Sequence, residues 1–106
     1  MVYVICARRF GVRERILNRY WSLQFVARLG KVDACEDGDI DAPNIPDKKI
    51  RIRHGLSDKK LMEVLIHEIA HGANWHLDEE WIHEFAHDCA NILYRIGYRR
   101  VKEAKE

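Results

Sequence analysis

The sequence is short of the features that mark specialised classes of protein. Its three cysteines, Cys6, Cys35 and Cys89, stand far apart with no C-x-x-C pair, which argues against a disulfide framework and a cysteine-built zinc site. Each reads as a small buried hydrophobe. No apolar run approaches the ~20 residues of a membrane span, so no membrane partner is expected. Neither sign of charge is in excess: 18 Lys and Arg against 17 Asp and Glu leave a formal net charge of +1, too little to steer the whole molecule to nucleic acid. Repeats of solenoid length and low-complexity tracts are missing. Residues 1–10 are too short for a signal peptide and carry their charges on the wrong side, which makes the cytoplasm the expected location.

What is present fits one globular domain spanning residues 1–106, with 47% hydrophobic and 33% charged residues, enough for a core and a wet surface. The charge is unevenly spread. Arg8, Arg9, Arg13, Arg15, Arg19, Arg28 and Lys31 face only Glu14 at the start, and Asp33, Glu36, Asp37, Asp39, Asp41 and Asp47 follow. This reads as a solvated face and an acidic loop. A basic anchor for nucleic acid is a rival reading that the acidic loop weakens.

The patterning predicts a strand at 2–7, a short amphipathic helix at 12–20 (Val12, Ile16, Leu17, Tyr20), a strand at 22–29 and a shorter one at 31–35. Both prolines, Gly38 and many Asx residues make 36–49 a loop without regular structure. Residues 50–53, Ile-Arg-Ile-Arg, alternate as a strand does. A helix starts at Ser57-Asp58 with Leu61, Met62, Leu65, Ile66 and Ile69 as its apolar stripe, and Gly72 and Asn74 are left-handed terminators. Asp78 caps a last helix that buries Ile82, Phe85, Ala86, Cys89, Leu93 and Ile96 and stops at Gly97. The expected class is α+β: a small sheet and a helical hairpin.

His67-Glu68-Ile69-Ala70-His71 is H-E-x-x-H on the first of these helices. Residues i and i+4 share a face, so both imidazoles can reach one ion. Glu68 can then act as general base on a metal-activated water. On the helical wheel His67 and His71 lie opposite the Leu61/Leu65/Ile69 stripe, facing a cleft or solvent. Imidazole and carboxylate ligands suit Zn2+.

With this motif the sequence resembles the zincin metallopeptidases, in which an edge strand ahead of the H-E-x-x-H helix pairs with an extended substrate; residues 50–53 occupy that place. The pieces Asp-Ala-Pro (41–43), Lys-Lys-Ile-Arg-Ile-Arg (48–53), Leu-Ile-His-Glu-Ile-Ala-His (65–71), Asp-Glu-Glu-Trp-Ile (78–82) and Tyr-Arg-Ile-Gly-Tyr-Arg (94–99) also resemble a small group of phage and bacterial metallopeptidases. The resemblance implies a minimal zincin-like domain that hydrolyses a peptide or protein substrate.

A third metal ligand must come from the segment after His71. The metzincin spacing fails, since its last position falls on Leu77 and His76 is one residue early. The gluzincin pattern allows Glu79 with His83, or Glu84 with Asp88. Glu79-x-x-x-His83-x-Phe85-Ala86 resembles the matching helix of phage-repressor-cleaving metallopeptidases, where Asn stands at the His83 place. Glu79 and His83 border the apolar face, so the third ligand is Glu79 or, second, His83, which could instead orient Glu79. His83-Glu84-Phe85-Ala86-His87 is a second H-E-x-x-H, read as an exposed helix face. Tyr94, Tyr98 or Arg99 could supply an oxyanion donor, and Trp75 and Trp81 bracket the turn as lid or core contacts. The alternative to an enzyme is a non-catalytic zinc-binding structural or interaction module, whose metal staples the hairpin.

Overall fold

The computed structural model describes residues 12–27, 29 and 37–101. The strands expected at 2–7 and 31–35, with Cys6 and Cys35, lie outside them. The described part is α+β: a four-stranded mixed sheet and two helices.

The first difference from expectation is at 12–20. This segment is a hairpin of β1 (Val12–Ile16) and β2 (Arg19–Val26), paired antiparallel with Ile16 opposite Arg19. Val12, Ile16 and Tyr20 satisfy a helical spacing as readily as a strand one, and the turn decides. Leu17 and Asn18 both adopt positive φ, 48° and 73°, the two-residue turn that matches strand twist. Asn18 suits that backbone and accepts a hydrogen bond from the Arg15 guanidinium; Leu17 is strained in it.

The second difference is β3 (Gly38–Ile40), which forms inside the segment expected to be loop and pairs antiparallel with β4 (Lys49–Arg53). The acidic run is therefore not simply solvated. Asp37, Asp39 and Asp41 alternate with the pleat and meet the alternating arginines of β4: Arg51 pairs with Asp39 (3.0 Å) and Asp41 (3.1 Å), and Arg53 with Asp37 (2.7 Å). The two Asp39 and Asp41 carboxylates raise the Arg51 pKa against a desolvation that lowers it. Both prolines fall in the loop between β3 and β4.

Strand order is β1-β2-β4-β3, with β2 and β4 parallel. β4 is thus paired on both sides, and 50–53 is not the edge strand that the zincin resemblance implied. Among the described residues the edge beside the helices is β3.

The sheet packs on α1 (Asp58–Ala73) through Trp21, Ile50, Ile52, Leu61 and Val64. Trp21 is wholly buried, and its Nε1 donates to the Asp41 carbonyl at 3.0 Å. Ser57 caps α1 by accepting from the Lys60 amide. At the other end Asn74 is extended (φ −147°) rather than left-handed, and Gly72 stays inside the helix. Its role is close approach: a Cβ there would lie 3.0 Å from both the Ile16 and Ile40 Cδ1 atoms.

Helix α2 (Glu79–Arg95) starts at the expected cap, Asp78, which accepts from the Trp81 amide at 3.0 Å. It ends in a Schellman arrangement at Gly97 (φ 106°), with Gly97 N donating to Tyr94 O and Tyr98 N to Leu93 O. Its face toward α1 is Ile82, Ala86 and Ala90, all fully buried. Phe85 and Ile96, expected in the core, are exposed instead (45% and 67%), while Cys89 and Leu93 are half-buried. The alanines carry the contact because small side chains let the two helices approach closely. No helix among the described residues is long and apolar enough to cross a membrane.

Candidate metal centre

The packed line of α1 is Leu61, Val64, Glu68 and Gly72. Ile69, placed in the stripe by the wheel, is 43% exposed. The buried face is thus rotated from the expected one, and His67 and His71 sit on its shoulder rather than opposite it. Each imidazole is only 18% exposed, facing a cleft of about 510 Å3 lined by Gly38, Asp39, Ile40, His67, Glu68, His71, Trp75 and Glu79. Glu68, between the histidines in sequence, is the one buried charged side chain among the described residues.

Glu79 reaches the histidines because the connection is tight. Leu77 N donates to Asn74 O and His76 N to Asn74 Oδ1, so α2 begins at once after the Asp78 cap and its first residue faces α1. Glu79 Oε1 is 2.8 Å from His71 Nε2 and Oε2 is 3.0 Å from His67 Nε2, while the two Nε2 atoms are 3.3 Å apart. The three donors all lie within 4.8 Å of one another. Donors about 2.0–2.1 Å from a tetrahedral zinc stand about 3.3–3.4 Å from each other. The imidazole pair already has that separation, and the carboxylate needs to back away by only a few tenths of an ångström to admit an ion. Two nitrogens, one carboxylate oxygen and an open cleft form a donor set that leaves a coordination position unfilled.

Burial lowers the His67 pKa; Glu79 opposes this, and His71 and His83 add to it. The imidazole is therefore neutral near pH 7, the form that offers a lone pair.

Comparison with protein-family models, with curated proteins and with solved structures finds no match for this chain. The chemistry of the cleft has to be read from its own residues.

Of the two residues expected to complete the site, the structure brings Glu79 in and leaves His83 one step back. The His83 ring is 6.3 Å from that of His67, edge on, and borders a recess of about 190 Å3 on the other side of Glu68, with Asp37, Lys60 and Glu63. The second H-E-x-x-H does not converge on a common point: His83, Glu84 and His87 are exposed, and His87 Nδ1 lies 3.6 Å from Glu63. His76 is exposed. Tyr94, Tyr98 and Arg99 lie at the far end of α2, about 22 Å along the axis from Glu79, and there Arg99 stacks on Tyr94 at 3.4 Å. Trp75 borders the cleft, its ring 6.2 Å from His71. Trp81 is half exposed and stacked on Phe85.

Sequence reasoning missed β3 as a wall of the cleft. The available signal was the period-two run of Asp37, Asp39 and Asp41, matched to Arg51 and Arg53. In the ladder, Arg53 N donates to Asp37 O (2.8 Å) and Asp41 N to Lys49 O (3.0 Å). The backbone groups of Gly38 and Ile40 therefore turn toward the outer edge, where both residues line the cleft.

Proposed function

We propose that this domain is a zinc-dependent hydrolase that cleaves peptide bonds. The observation that carries the reading is the convergence of His67 Nε2, His71 Nε2 and the Glu79 carboxylate in a cleft that also holds Glu68. In this reading His67, His71 and Glu79 hold the metal. When bound, zinc supplies Lewis acidity and lowers the pKa of a water to about 7. Glu68 accepts a proton from the attacking water and passes it to the leaving amine. An extended peptide adds to the outer edge of β3, hydrogen-bonding to Gly38 and Ile40. Trp75 and Ile40 give the cleft apolar walls for a substrate side chain. The open mouth and the 69% exposed Glu79 side chain favour catalysis over a closed structural staple, which takes four protein ligands.

The test is a quenched-fluorescent peptide library incubated with zinc-loaded protein and with Glu68→Gln. Cleavage by wild type, a loss of about 100-fold or more in the variant and equal zinc content in both support the reading. Zinc-loaded wild type that cleaves no peptide, or a Glu68→Gln variant as active as wild type, rejects it.

A further inference from the structure

Helix α2 has a second apolar face that α1 does not cover. Trp81, Phe85, Ile92 and Ile96 recur at helical spacing on one side of the helix, flanking the buried Ile82–Ala86–Ala90 line. They are 51%, 45%, 53% and 67% exposed, together on the order of 400 Å2 of apolar surface. Trp81 and Phe85 stack on each other at 5.1 Å, so the patch has a defined shape. Nothing among the described residues covers it. Single exposed apolar residues need no explanation, but two apolar pairs aligned on one side of a helix, broken only by Asp88 at the middle, form a patch of the size that is often functional.

The charges beside the stripe identify the occupant. Glu84 and Arg95 are three turns apart on the same border of the stripe, and Glu80 lies further round from Glu84. None of the three has an ion-pair partner among the described residues. The first half of this border is acidic and the far end basic. A second copy of the helix laid antiparallel across a two-fold axis brings Glu84 of each protomer opposite Arg95 of its partner. With Trp81 set against Ile96 and Phe85 against Ile92, Glu84 and Arg95 of the two copies are offset by two residues, about 3 Å along the axis, a gap their long side chains span, so one two-fold operation serves both sets of pairs.

We propose that α2 is a homodimer interface, in which two copies pair antiparallel through the Trp81–Phe85–Ile92–Ile96 stripe with reciprocal Glu84–Arg95 contacts. Asp88, near the midpoint, faces its own copy, a repulsion that keeps the association reversible. At about 400 Å2 of apolar surface per protomer the contact is smaller than a standard interface, so the dimer is a weak, reversible one that forms at high protein concentration. The inference does not depend on the metal centre, and its test uses no activity readout.

Sedimentation of the full chain from about 2 to about 500 µM tests it. The expected mass rises from 12.5 kDa toward twice that value with concentration. Phe85→Glu and Ile92→Glu each abolish the rise while circular dichroism stays unchanged, because both side chains are already exposed. Glu84→Arg and Arg95→Glu each weaken association by roughly 5- to 10-fold, and the double exchange restores it to near wild type. A monomer throughout the range overturns the proposal. So does a dimer that survives both glutamate substitutions, or a double exchange no better than either single one.

Discussion

Replacing Glu79 with alanine tests the third ligand with a magnitude that the geometry sets. The Glu79 side chain is 69% exposed, so its removal opens no cavity, and the metal-free protein loses only its contacts to the two histidines, about 1 kcal/mol or less. With zinc the outcome changes. If wild type is studied at a zinc concentration about 1,000 times Kd, binding stabilises it by about 4 kcal/mol. Loss of one of three protein ligands weakens zinc by on the order of 100-fold, leaving about 1.4 kcal/mol. The difference, close to 3 kcal/mol, corresponds to roughly 10 °C or more in Tm for a domain of this size. Differential scanning fluorimetry with and without zinc, beside competition against a chromophoric chelator, reads both quantities. If Glu79→Ala keeps the wild-type zinc shift and His83→Ala loses it, His83 is the ligand and the assignment is wrong. If Glu79→Ala loses the same stability with and without zinc, the carboxylate is only a hydrogen-bonding bridge between the histidines.

Other expectations follow from single contacts. Gly38→Ala places a Cβ 2.6 Å from Val64 Cγ1 and should cost about 1–3 kcal/mol in urea unfolding, displacing β3 and weakening peptide cleavage more than zinc binding. Leu17→Asn relieves the positive φ at the hairpin turn and should stabilise by about 0.5–1 kcal/mol; a loss of stability would argue against that turn geometry. The His67 pKa is depressed by burial, so the unfolded chain binds a proton more readily. The metal-free protein should therefore be most stable above about pH 6.5 and lose stability as pH falls below it. His67→Gln should flatten that slope in unfolding curves between about pH 7.5 and 5.

How much was legible in the sequence depended on how local the signal was. Ser57, Asp78 and Gly97 set both helices where expected, because caps act within one turn. His67 and His71 reach one cleft because their i, i+4 spacing fixes a common face, and Glu68 borders the same cleft from the adjoining buried line. The hairpin at Leu17–Asn18 was read as a helix, since a short apolar spacing fits both periods and the left-handed turn leaves little trace in a leucine. β3 was hidden because Gly38 and Asp39 are poor strand formers, and what holds the strand is non-local: its ladder with β4, the cross-strand ion pairs and the packing of Ile40 on the core. That error carried into the site, where β4 was taken as the edge strand, whereas among the described residues the edge is β3. Phe85 and Ile96 were assigned to the core by hydrophobicity beside Ile82 and Ala86; the latter two are buried as expected, and Ala90, not foreseen, completes the helix contact.

Diffraction from zinc-soaked crystals, with data on both sides of the zinc absorption edge, reads the metal centre itself. One anomalous peak per chain is expected, about 2.0–2.2 Å from His67 Nε2, His71 Nε2 and a Glu79 oxygen, with a solvent ligand in the fourth position. No peak between these residues, or an ion closed off by a fourth protein ligand such as His83, would contradict it.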